Sequence, residues 1–79
     1  MSEIISVVEM NTGDIGTVIG FEGGFGMVRK LENMGIRIGS QIKKVSGQFM
    51  GGPVVILQGS TQVGIGFGMA KRIMVRIDV

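Results

Sequence analysis

The sequence predicts a mainly β domain, a small and partly open barrel of about five short strands with one or two short helices. Three observations lead there. The chain has 79 residues, room for a single domain over residues 1–79 with a compact core and no second lobe. Its apolar stretches are short and repeatedly cut by turn formers, with 15 glycines and a single proline scattered without period, the pattern of tight turns between bent strands. One longer segment leaves the period of two for a helical one.

The elements follow in chain order. Ile4–Met10 is apolar with β-branched weight, and Asn11-Thr12-Gly13-Asp14 is a cluster of turn formers. Ile15–Phe21 alternates as a strand, with Ile15, Thr17, Ile19 and Phe21 on one face and Gly16, Val18 and Gly20 on the other. A glycine face tolerates close approach or strong bending. After Gly23-Gly24, residues Met27, Val28, Leu31 and Met34 fall at i, i+1, i+4 and i+7, one face of a helix over Phe25–Met34. Arg29, Lys30, Glu32 and Asn33 lie away from that face, and Gly35 stands where a left-handed terminator belongs. Extended runs at Gln41–Val45, Pro53–Gln58 and Thr61–Ile65 come next, the last two joined by Gly59-Ser60, a two-residue loop suited to a hairpin with a left-handed first position. Met69–Arg72 has the makings of one helical turn, although Gly66 and Gly68 weaken its start by about 1 kcal/mol each relative to alanine. Ile73–Ile77 closes the chain with Ile73, Val75 and Ile77 inward. These strands fit an SH3-like barrel best; an OB-like barrel is the nearest competitor, with longer strands.

Composition removes whole chemistries. Cysteine and histidine are both absent, which excludes disulfides, Cys/His zinc sites, thiol nucleophiles and imidazole bases. Glu3, Glu9, Asp14, Glu22, Glu32 and Asp78 are too dispersed for a calcium loop, so no metal or cofactor is expected. Gly23-Gly24-Phe25-Gly26 lacks the Gly-Lys-Ser/Thr of a phosphate loop, and Gly64–Gly68 fails the dinucleotide spacing. Catalysis has no visible apparatus, and an enzyme is not expected. A net charge of +2 is too small a surplus to argue for nucleic acid. The pairs Arg29-Lys30, Lys43-Lys44 and Lys71-Arg72 therefore read as solvated faces. Met1–Met10 lacks the basic start and long apolar stretch of a signal peptide. The run Val54–Leu57 is far short of the roughly 20 residues a bilayer demands. A cytoplasmic protein without membrane insertion is expected. Met27 and Met34 belong to the helix face that meets the core, whereas Phe49 and Met50 sit in a glycine-bracketed loop with little core to enter, where packing of the loop on the core stands beside contact with a partner as a reading.

Gly13-Asp14-Ile15-Gly16, Gly23-Gly24, a helix ending Leu31-Glu32-Asn33-Met34-Gly35-Ile36 and then Gly39-Ser40-Gln41-Ile42 together resemble the FeoA family, the ferrous iron transport protein A domains. Gly51-Gly52-Pro53-Val54-Val55-Ile56 is similar to the family's Gly-Pro strand start, and Gly64-Ile65-Gly66 through Val75 resembles its closing short helix and strand. The resemblance runs from about Val7 to Val79. It implies an SH3-like barrel, cytosolic location, no enzymatic activity and action on the membrane transporter FeoB through its cytosolic nucleotide-binding portion. Similar domains close DtxR-type iron-dependent repressors. Gly66, Phe67 and Gly68 stand where many members carry charged or helix-forming residues, a departure that weakens the second helix.

The expected function is thus an accessory role in ferrous iron uptake by protein–protein contact. Phe25, Phe49, Met50 and Phe67 are the expected apolar contacts, with Arg29 and Lys30 as rim charges. A nucleic-acid-binding small barrel and a stand-alone relative of the repressor domain are the alternatives.

Overall fold

The computed structural model describes residues 2–47 and 52–78. In chain order they form β1 (Ser2–Ser6), a 3-10 turn (Val7–Glu9), β2 (Ile15–Phe21), α1 (Phe25–Asn33), β3 (Gln41–Ser46), β4 (Val54–Gln58), β5 (Thr61–Ile65), α2 (Phe67–Ala70) and β6 (Ile73–Asp78). The strands make one antiparallel sheet in the order β1-β6-β2-β3-β4-β5. The mainly β class with two short helices is the expected one, with six strands where the sequence suggests about five. The sheet is open. Among the described residues no ladder joins β1 to β5.

The extra strand comes from the start of the chain, where the apolar run Ile4–Met10 does not stay extended. The Ser6 amide donates to Glu9 Oε1 at 2.9 Å and Met10 N–H to the Val7 carbonyl at 3.2 Å, winding the chain through one tight turn. That turn delivers both Val7 and Met10 into the core, which a strand's strict alternation would not do.

In β2 the buried face is Gly16 and Val18, while Ile15 is exposed. A Cβ on Gly16 would lie 3.2 Å from Val75 Cβ and 3.3 Å from the Arg76 carbonyl, so the glycine permits β6 to pack closely, the role its position suggests. Register shifts between Val18 and Gly20, a bulge at Ile19 that resets the alternation. Phe21 therefore packs against the core and does not share the outward face of Ile15.

Helix α1 ends as its sequence requires. Gly35 has φ +91°, its N–H donates to Glu32 O at 2.9 Å, and Ile36 N–H donates to Leu31 O at 3.0 Å. This is a Schellman cap, sealed by its apolar pair because Leu31 and Ile36 are both fully buried. The Gln58 side-chain amide donates to the Gly35 carbonyl, tying the cap to the β4–β5 hairpin, whose turn has Gly59 at φ +61° between paired Gln58 and Thr61. Helix α2 begins at Phe67, earlier than its glycines suggest. Its last residue, Ala70, is fully buried, so tertiary packing overrides the weak local propensity.

One expectation is overturned. The pair Lys43-Lys44 is not a solvated face: adjacent strand residues point to opposite sides, so Lys43 is exposed while Lys44 is buried between Ile42 and the 3-10 turn. Lys44 Nζ donates to the carbonyls of Met10 at 2.7 Å, Val8 at 2.9 Å and Val7 at 3.2 Å. Burial pushes its pKa below the ordinary 10.5, and the Asp14 carboxylate opposes that shift.

Candidate functional site

Because Phe21 of β2 pairs with Ile73 of β6, the segment leaving β2 for α1 lies beside the segment that passes from α2 into β6. Glu22 N–H donates to Arg72 O at 2.7 Å, and Arg72 Nη1 returns a bond to Glu22 O at 3.3 Å. This clasp holds the two helix starts side by side around an open groove of about 670 Å³. Gly23, Gly24 and Met27 line one side; Gly66, Gly68, Met69, Lys71 and Arg72 line the other. The Met27 thioether lies over Gly23, where a Cβ would fall 2.6 Å from the methionine methyl carbon. Both methionines also rest partly on the core.

Phe25 and Phe67 open the two helices that border the groove. Phe25 is 78% exposed, a large apolar ring left in water, and Phe67 is 37% exposed. The Arg29 guanidinium stacks over the Phe25 ring at 5.4 Å from its centroid, a cation–π contact within the usual range. Lys30 is exposed in the last turn of α1. Phe25, Arg29, Lys30 and Phe67 thus all belong to the two helices flanking the groove, while Phe49 and Met50 lie outside the described residues.

Sequence reasoning missed the lining itself. Met27 reads as core, Lys71 and Arg72 as solvated, Gly66 and Gly68 as helix weakeners. The signal that finds them is an internal repeat: Gly24–Leu31 reads GFGMVRKL and Gly66–Ile73 reads GFGMAKRI. Each copy places a glycine at the helix N-cap, a phenylalanine first, a methionine third, an aliphatic fourth, then two cations and a fully buried aliphatic last. The two copies hold four of the chain's eight cations and none of its six acids. The remainder of the chain, with four cations and six acids, is net negative although the whole is +2.

A smaller hollow of about 250 Å³ lies against the outer face of β2, β3 and β4, beside Ile15, Lys43 and Leu57. Among the described residues no three carboxylates gather as metal ligands, and no helix is long and apolar enough to cross a membrane.

Comparison with known proteins places this geometry. The FeoA domain model matches residues 5–77. A protein of Methanocaldococcus jannaschii named "Putative Fe(2+) transport protein A" is 41% identical over 54 residues, which is 68% of this chain and 63% of that protein, so the match spans less than two thirds of the relative. The crystal structure of an iron uptake regulatory protein, FeoA, superposes with a TM-score of 0.88 at 34% identity, covering 96% of this chain and 100% of that one. The FeoA-like protein from Clostridium acetobutylicum gives a TM-score of 0.84 at 25% identity over 100% of this chain and 92% of that one. A manganese-dependent transcriptional repressor shares the fold, with a TM-score of 0.87 at 21% identity, this chain matching 44% of its length. The domain match and these likenesses show that this chain belongs to the FeoA family.

Proposed function

We propose that the chain is a cytoplasmic accessory protein of ferrous iron uptake that docks on a FeoB-type membrane transporter and does not itself carry the iron. The observation that carries this reading is the exposed Phe25 ring with Arg29 stacked on it, beside an open groove whose other border begins at Phe67. An aromatic anchor next to a cationic rim is the composition of a protein-binding surface. Ferrous iron, the cargo of the system, is suited by imidazole nitrogen or by donors held together, and the absence of histidine and cysteine removes the imidazole and thiolate donors, leaving carboxylates that do not gather among the described residues.

The test is a titration of the purified cytosolic portion of a FeoB-type transporter against this chain by calorimetry. Saturable binding is expected. Both Phe25→Ala and the double variant Arg29→Glu/Lys30→Glu should weaken it by about 1.4 kcal/mol or more, a factor of ten, with unchanged thermal melting. Undiminished affinity in both variants overturns the assignment of this surface. Stoichiometric Fe(2+) binding at micromolar affinity by the isolated chain overturns the division between docking and carrying.

A further inference from the structure

The groove between the two helix starts has a character that the fold does not require. Gly68 lines it with nothing within 4 Å of where a Cβ would stand, and Gly26, its counterpart in the other repeat, is equally free. Neither has a positive φ, and alanine is the better helix former at both positions. At Gly68 the molecule leaves the backbone of the groove bare although its own packing would accept a side chain, and bare backbone is what lets a second chain come close. Charge is distributed to match. The two repeats are purely cationic, with Lys71 and Arg72 on the groove wall and Lys30 exposed on the bordering helix α1. The floor is soft, because two thioethers adapt to irregular apolar shapes. The surface is concave, which suits a protruding segment and not the flat plane of lipid headgroups.

We propose that this groove receives an acidic, apolar segment of a partner protein, with its apolar side chains on Met27 and Met69 and its carboxylates facing Lys71, Arg72 and Lys30. The inference rests on the docking reading above and names the chemistry of what docks. Charge complementarity selects the occupant: a basic or neutral apolar segment would find the same floor without the rim.

The probe is a short synthetic peptide of alternating leucine and glutamate, with a leucine–glutamine peptide as control. It is followed through the methyl signals of the isotopically labelled methionines. The glutamate peptide should shift the Met27 and Met69 signals and bind about tenfold more tightly than the control at low salt, with the advantage fading as salt rises. Lys30→Glu/Lys71→Glu should abolish that preference. Gly68→Ala should weaken both peptides without lowering the melting temperature, which separates loss of binding from loss of fold. Equal affinity for the two peptides overturns the proposal. So does sedimentation with phosphatidylglycerol vesicles while the peptide leaves the methionine signals unmoved, which would assign the face to an anionic lipid. Transporter binding that persists without peptide binding refutes the groove and leaves the docking reading standing; peptide binding at the groove without transporter binding does the reverse.

Discussion

Replacing Lys44 by methionine keeps an aliphatic stem of similar length and removes the ammonium that three carbonyls share. The bonds to Val7 and Met10 are buried and the bond to Val8 is partly buried, so water recovers the third acceptor and not the first two. A stranded buried acceptor costs about 1–3 kcal/mol. Two of them, less some relief from no longer burying a charge, give an expected loss of about 3 kcal/mol. That is a large fraction of the roughly 4–12 kcal/mol a chain of this length holds in reserve. In urea the midpoint should fall by about 2 M for a small-domain slope, and the melting temperature by about 12–24 °C. Equilibrium unfolding followed by far-ultraviolet circular dichroism measures both. A midpoint within about 0.5 M of the parent would mean that the three bonds merely offset the desolvation they entail, and that the 3-10 turn is held by Val7 and Met10 packing alone.

The same lysine sets an alkaline pH dependence. Its folded pKa lies below 10.5, so between that lowered value and 10.5 the unfolded chain binds more protons and stability rises with pH. No histidine, cysteine or tyrosine side chain is present to overlay that dependence. The urea midpoint should therefore climb in the parent as the pH rises through the range just below 10.5 and lose that climb in Lys44→Met; a falling profile in the parent contradicts the assignment. Gly35→Ala forces a Cβ into a left-handed position 3.4 Å from the Gln58 amide and should cost about 1–2 kcal/mol in the same unfolding assay, with Asn tolerated better than Ala. Gly16→Ala drives a methyl against Val75 and the Arg76 carbonyl and should cost about 1–3 kcal/mol; a neutral result would show that β6 can move away from β2.

Features governed by local chemistry were legible in the sequence. Gly35 and Gly59 announce left-handed positions through their neighbours alone, and both take them. The strands Ile15–Phe21 and Thr61–Ile65 begin and end where turn formers begin and end. Lys44 was not legible, because whether a strand lysine is buried depends on carbonyls offered by a turn more than thirty residues earlier. The bulge at Ile19 is likewise invisible locally, since it arises from the fit between β2 and β6. At the candidate site, Arg29 could be named because helical spacing turns it away from the core, and Phe25 because it is an apolar side chain beside a glycine loop. Met27 and Met69 could not be joined until β2 and β6 were known to be neighbours, although the duplicated GFGM tetrapeptide marks both ends of the pairing in plain sight.

The pairing of β1 with β6 sets Ser2 opposite Asp78, so the start of the first strand and the end of the last lie side by side, about 5 Å apart at these α-carbons. A short peptide bridge could join them and the Gly59-Ser60 turn could be cut instead, giving a circular permutant with every ladder intact. The same proximity lets this module be spliced into a loop of another protein with little disturbance to its host.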